Sequence, residues 1–213
     1  MIQPYDSAAA SKALCAVDRR LGRLIARVGP CKIEFSSATT PFQTLLRAIV
    51  HQQLSGHAAE AIHRRVLGLA PRRCVLTAVR VAKFSNAELR STGLSHSKVM
   101  AIQDLAAKTL DGTVPNRRVL ERLSDDDIVE RLIEVRGVGR WTVEMLLMFY
   151  CARPDVLPVD DLGVRKGFMV TYRTSKLPTT TELREYGERW RPYRSVASWY
   201  LWRVADGTQP KSA

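Results

Sequence analysis

Three stretches of this 213-residue chain carry residue types at spacings suited to chemistry. In the first, Val135-Arg136-Gly137-Val138-Gly139-Arg140-Trp141-Thr142 joins two predicted helices through a very tight turn. Gly137 and Gly139 permit positive φ and close backbone approach. Consecutive N–H groups at the start of the following helix can then face an anion such as a phosphate. A bare Gly-x-Gly also serves packing alone in an ordinary corner between helices. The second is the acid pair Asp160-Asp161, three residues after Leu157-Pro158 begins, at the start of another predicted helix. Each acid can cap that helix, worth about 1 kcal/mol. The third is the aromatic run Trp190, Tyr193, Trp199, Tyr200 and Trp202. Ring faces attract cations by about 0.5–2 kcal/mol per contact, although tryptophans at helical spacing also fill cores.

Composition narrows the partner. Lysine and arginine number 33 against 21 acids, a formal net charge of +12, which points to a polyanion and first of all to nucleic acid. Cys15, Cys31, Cys74 and Cys151 are scattered without a Cys-x-x-Cys pair, as small apolar residues of a reducing compartment. No cysteine follows Cys151 to complete an iron–sulfur set. His51, His57, His63 and His96 show no metal-ligand arrangement, and the His57/His63 spacing does not put those two on one helix face. No cofactor and no side-chain metal site are expected. Asp6, Lys12 and Arg19 interrupt the N-terminal stretch, and no run of about 18 apolar residues occurs. No membrane partner is therefore expected, and the place expected is inside the cell, cytoplasmic or nucleoid-associated in a bacterium, nuclear in a eukaryote; a monomer is also expected.

The elements that must position these stretches are helices. Leu14, Val17, Leu21, Leu24, Ile25 and Val28 recur at three- and four-residue steps, predicting one helix over 11–28 that Gly29-Pro30 ends. Thr40-Pro41 starts a second, and Gly56 interrupts the pattern before a helix over 58–69. After the basic connector 71–74, Ser85, Ser95 and Ser124 read as caps of helices ending at Gly93, Leu110 and about Val135. Residues 141–152 read as a buried helix, followed by helices over 161–172, 181–190 and 195–203. A short segment at 33–35 is the single candidate for extended chain. The class is all-α.

The hairpin extends to hydrophobic-x-Gly-Val-Gly-Arg-x-Thr, and in this form it resembles the helix-hairpin-helix element of base-excision DNA glycosylases. About twenty residues on, Pro158-Val159-Asp160-Asp161 is similar to the loop that carries an essential aspartate in the helix-hairpin-helix/Gly-Pro-Asp superfamily. It departs from the name-giving Gly-Pro-Asp, and this Pro-x-Asp-Asp version resembles the alkylpurine branch, the DNA-3-methyladenine glycosylase II type. Arg47-Ala48-Ile49-Val50-His51-Gln52-Gln53-Leu54-Ser55 with Ala58-Ala59, and Leu89, Gly93-Leu94-Ser95 and Lys98 with Leu105-Ala106, match two more landmarks. The resemblance covers roughly 12–205.

It implies two helical subdomains, approximately 41–135 and 1–40 plus 136–213, with an active-site cleft between them and no N-terminal β-domain. It implies a partner, double-stranded DNA containing alkylated bases, and an enzyme that flips such purines out and cuts their N-glycosidic bonds. Asp161 maps to the catalytic carboxylate, with Asp160 as a helix cap or support. Trp202, Trp141 and Met145 map to the base pocket. Gln53, with Gln52 and Leu54 as alternatives, maps to the wedge that fills the gap. Arg136, Gly137, Val138, Gly139, Arg140, Thr142, Arg165 and Lys166 are candidate phosphate contacts. Bifunctional relatives carry a lysine where Trp141 stands, so hydrolysis without lyase action is implied. Another damaged-base specificity, or a DNA-binding module without catalysis, are the alternative readings.

Overall fold

The computed structural model describes residues 5–36, 40–71, 74–205 and 207; Arg72 and Arg73 of the basic connector lie outside these. Among the described residues there is helix and no strand, and the segment at 33–35 belongs to neither. The described residues divide into two compact units, Ser36–Leu146 in one and Met1–Phe35 with Leu147–Ala213 in the other.

The unit Ser36–Leu146 holds α3 (Pro41–His51), α4 (Gly56–Leu67), α5 (Ala78–Val81), α6 (Asn86–Ser91), α7 (His96–Leu110), α8 (Arg117–Leu120), α9 (Asp125–Leu132) and most of α10 (Arg140–Phe149). Local chemistry sets the helix starts. Thr40, Ser85 and Ser124 each form a capping box with Gln43, Glu88 and Asp127, and Ser95 caps α7 through the Lys98 amide. α7 packs against α3, α5 and α6, and Leu45, Leu46, Ile49, Leu89, Ile102 and Leu105 are wholly buried. Gly56 does not interrupt a helix; it is the first residue of α4, behind Ser55. The four-residue helices α5 and α8 are too short to display a period, so the pattern does not reveal them. The chain leaves this unit inside α10, which keeps the glycine hairpin with 36–146 and not with the second lobe, where the resemblance put it.

The other unit holds α1 (Ser7–Val17), α2 (Arg19–Val28), the end of α10, α11 (Leu162–Tyr172), α12 (Thr180–Gly187) with a 3-10 turn over Glu188–Trp190, and α13 (Arg194–Ala205). The single helix expected over 11–28 is broken at Asp18. This residue is extended (φ −140°) and its carboxylate accepts from the Arg20 and Leu21 amides, starting α2 afresh. The apolar period runs through the break because Leu14, Leu21 and Leu24 enter one core. Asp18 is only 5% exposed. Its second oxygen accepts from Tyr172 Oη (2.6 Å) and Trp190 Nε1 (3.0 Å), so one carboxylate joins α1, α2, α11 and the 3-10 turn. Around it, Phe168, Tyr172, Tyr186 and Trp190 form a ring cluster with centroids 4.3–6.4 Å apart.

Candidate active site

Asp161 stands at the N-terminus of α11 and is half-buried. The loop that delivers it is pinned upstream. Ser195, wholly buried, donates through Oγ to Arg153 O (2.7 Å) and accepts from Val156 N (3.0 Å). Arg194 grips Asp155 through Nε and Nη2 at 2.7 and 3.0 Å. Leu157 and Val159 sink into the core, and the Asp161 amide closes a turn onto Pro158 O at 3.0 Å. Asp161 is itself the helix cap, accepting from Val164 N at 2.7 Å. The expectation that Asp160 caps the helix is corrected: Asp160 sits exposed in the turn before it. Capping alone would explain Asp161. The same Oδ1, however, also accepts from Trp202 Nε1 at 2.8 Å, a bond from α13 that a cap does not need.

Close helix approach brings α13 here. A Cβ on Gly167 would lie 2.0 Å from the Leu201 carbonyl oxygen, so α11 and α13 meet backbone to backbone with no room for a methyl group. A Cβ on Gly163 would lie 2.8 Å from Trp202 Cδ1 and 3.0 Å from Asp161 Oδ1. Two glycines of one helix face thus make the space in which the indole reaches the carboxylate. Trp202 in turn stacks with Phe149, centroids 6.0 Å apart and planes 25° from parallel. Phe149 is a candidate that sequence reasoning missed; its only signal is an aromatic residue at the end of an apolar helix. A carboxylate fixed beside stacked aromatic rings suits a ligand that is planar and develops positive charge. On the same helix Arg165 donates from Nε to Pro178 O at 2.9 Å, and Lys166 is exposed.

In the unit 36–146, Gly137 takes φ +78°, while Gly139 is not among the residues at positive φ. A Cβ on Gly139 would meet nothing within 4 Å. The Val138 side chain is buried and its N–H donates to Val135 O at 3.0 Å. That amide is consumed within the turn, which removes Val138 as a phosphate contact. Thr142, another candidate phosphate contact, is only 5% exposed. The start of α10 keeps the exposed Gly139 and Arg140, and the first amides of any α-helix have no partner within it. Arg136 is exposed, its amide held by Asp104 at 2.7 Å. Arg140 is exposed and lies 3.9 Å from Glu144. Trp141 is 47% exposed, so α10 is not buried from its first turn as expected; Met145 is half-buried.

The turn after α3 is tied to the hairpin. Gln52 Nε2 donates to Gly137 O at 2.8 Å, which occupies one of the three wedge candidates. Lys98 Nζ donates to Val50 O and Gln52 O, both at 2.7 Å, completing the end of α3. Gln53 (φ +56°) and Leu54 are exposed at the turn's apex. The histidines also need correction. α3 and α4 bring His51 and His63 to a ring separation of 5.9 Å, with Glu60 beside them, an arrangement split between two helices and so invisible to spacing along one.

Residues 46–192 match the family described as "HhH-GPD superfamily base excision DNA repair protein". The chain is 35% identical over 201 residues to DNA-3-methyladenine glycosylase 1 of Schizosaccharomyces pombe, covering 92% of this chain and 88% of the relative. It superposes with a TM-score of 0.81 on the solved structure of the S. pombe 3-methyladenine DNA glycosylase Mag1 in complex with abasic DNA, at 33% identity, covering 96% of this chain and all of the other. The crystal structure of a DNA-3-methyladenine glycosidase from Bacillus halodurans gives a TM-score of 0.83 at 33% identity, covering 92% and 88%. The chain belongs to the HhH-GPD superfamily of base excision DNA repair proteins.

Proposed function

We propose that the chain is a monofunctional DNA glycosylase that rotates alkylated purines, such as 3-methyladenine and 7-methylguanine, out of duplex DNA and hydrolyses their N-glycosidic bonds. The observation that carries this reading is the Asp161–Trp202 pair: a carboxylate whose orientation is set by two donors, beside an indole stacked on Phe149. The names of the relatives and the DNA in one of their structures support it.

A base inside a duplex is out of reach, so the nucleotide must leave the stack. Alkylation at ring nitrogen 3 or 7 makes the purine cationic and a good leaving group, so little acid assistance is needed to expel it. Positive charge develops on the deoxyribose, and a carboxylate fixed in advance stabilises that charge where it appears. Asp161 also orients or deprotonates the attacking water, a role that contributes roughly 100- to 10,000-fold. Trp202 supplies an aromatic face for the base, with Trp141 and Met145 as further candidates. Gln53 or Leu54 fills the vacated space, and the start of α10 with Arg136 and Arg140 holds phosphates. Trp141, at the position of the lysine in bifunctional relatives, offers no amine for a Schiff base.

The test is Asp161→Asn. Asparagine caps helices about as well as aspartate, so the fold and the affinity for abasic-site DNA are expected to survive. Release of 3-methyladenine from alkylated DNA is expected to fall by roughly 100- to 10,000-fold. Undiminished release would remove Asp161 from the chemistry; equal loss of DNA binding would favour a role in folding.

A further inference from the structure

The geometry points to a divalent transition-metal site of the zinc type, formed by His51 at the end of α3 and by Glu60 and His63 on α4. Glu60 and His63 are three residues apart, so both lie on one face of α4. One ligand atom from each of the three residues lies within 4.8 Å of the other two. His51 Nε2 and Glu60 Oε2 are 3.5 Å apart. Four ligands bound tetrahedrally at about 2.1 Å stand about 3.4 Å from one another, so this pair is already at ligand spacing. Two imidazoles bound to one ion have ring centres roughly 5–6 Å apart at such bond lengths, and those of His51 and His63 are 5.9 Å apart, inclined at 70°.

A second observation singles out the same point. His51 Nε2 is shielded from solvent and makes no hydrogen bond, though a carboxylate oxygen stands opposite. As a lone pair it faces another lone pair; as an N–H it misses the geometry of a hydrogen bond. A cation between the two atoms satisfies both. Burial, and then the charge of Arg47, hold both imidazoles below the ordinary histidine value.

The competing partner is Arg47, whose Nη1 lies 3.2 Å from Glu60 Oε2 with its side chain 54% exposed. Exposed ion pairs of this kind are weak, and the guanidinium can withdraw into solvent when an ion arrives. Two nitrogens and one carboxylate leave a fourth position open, a donor set that suits zinc and, in the usual order of affinities, cobalt, nickel and copper. A bound ion would tie the last residue of α3 to α4 and hold the turn at 52–55 from both sides. The inference does not depend on the proposed glycosylase activity.

The experiment uses the full chain, stripped of metal with a chelator and titrated with Co²⁺ and then Zn²⁺. One Co²⁺ per chain is expected, with visible d–d bands of a nitrogen/oxygen site that Zn²⁺ abolishes. Thiolate charge-transfer bands would assign the ion to the cysteines and overturn the proposal, as would absence of stoichiometric binding. His63 is 8% exposed and its replacement threatens the fold, so His51→Gln and Glu60→Gln carry the test, with thermal unfolding of the metal-free variants as the control for folding. Each is expected to weaken binding by at least the roughly 10- to 100-fold that loss of a supporting partner costs at metal sites. Unchanged affinity in the double variant would place the ion elsewhere. Arg47→Gln, which releases Glu60, is expected to tighten binding severalfold, and weaker binding there would remove Glu60 from the ligand set.

Discussion

Trp202 donates its indole N–H to the same Asp161 oxygen that accepts the Val164 amide, at 2.8 and 2.7 Å. One donor comes from the helix that Asp161 caps and the other from α13, so the carboxylate is oriented by two elements at once. Trp202→Phe separates orientation from surface, because it keeps a ring to stack on Phe149 and removes the donor. A hydrogen bond to a charged group is worth about 1.5–3 kcal/mol, so kcat for excision is expected to fall roughly 10- to 100-fold with little change in melting temperature. Single-turnover base release measures it. An unaltered rate would mean that the indole N–H does nothing for the carboxylate.

The two glycines of α11 predict different failures. In Gly163→Ala the new methyl lies against the Trp202 ring and Asp161 Oδ1, both side chains. The indole shifts and the pair loosens, while the helix gains up to about 1 kcal/mol of propensity. Activity is expected to drop with stability held or raised. In Gly167→Ala the methyl meets the Leu201 carbonyl, and backbone cannot yield without parting α11 from α13. Overpacking of that kind costs about 3 kcal/mol or more, so denaturant unfolding is expected to show a large loss. Equal stability in the two variants would contradict this picture of the contact.

What could be read along the chain was what is local. Thr40, Ser85, Ser95 and Ser124 announce their helices because a cap bonds an amide three residues on. Gly29 stops α2 because it takes φ +85°. The region of Asp161 was legible through its resemblance to a known loop, yet the capping role went to Asp160, since neighbouring acids look alike until the turn onto Pro158 is seen. The rest depends on packing between distant segments. Asp18 finds its partners at Tyr172 and Trp190, and nothing near residue 18 announces them. Phe149 matters only because α13 sets Trp202 beside it, and His51 meets His63 only because two helices pack.

Asp18 makes stability depend on pH. Burial pushes its carboxyl up, but bonds from Tyr172, Leu21, Trp190 and Arg20 outweigh that and hold it below the ordinary aspartate value. A lowered folded value means that the stabilisation is fully present above the unfolded pKa, about 3.9, and is lost as pH falls from there through the folded value. Urea unfolding at pH 7, 5 and 3 is expected to show stability falling toward pH 3. Asp18→Asn, which weakens two buried contacts, is expected to cost about 2–4 kcal/mol at pH 7 and to flatten that part of the profile. A wild-type decline that persists undiminished in Asp18→Asn would assign the acid sensitivity to other carboxylates.

The hydrolytic reading predicts what borohydride will not do. A lyase needs an unprotonated amine at the deoxyribose carbon to form a Schiff base. At the position after Gly139-Arg140 the chain has Trp141. Lys98 is the lysine whose ammonium burial lowers, but its Nζ is spent on Val50 O and Gln52 O, and Lys108 likewise donates to Glu134 O. Lys166 follows the candidate catalytic loop but is exposed, and the donors to Asp161 Oδ1 are Val164 N and Trp202 Nε1. Incubation with alkylated duplex and sodium borohydride is therefore expected to trap no covalent complex. The strand should remain intact at the abasic site until treated with hot alkali. An efficient adduct that disappears in Lys166→Gln would make the enzyme a lyase despite Trp141, and one that disappears in Asp161→Asn would give that carboxylate a part in Schiff-base chemistry.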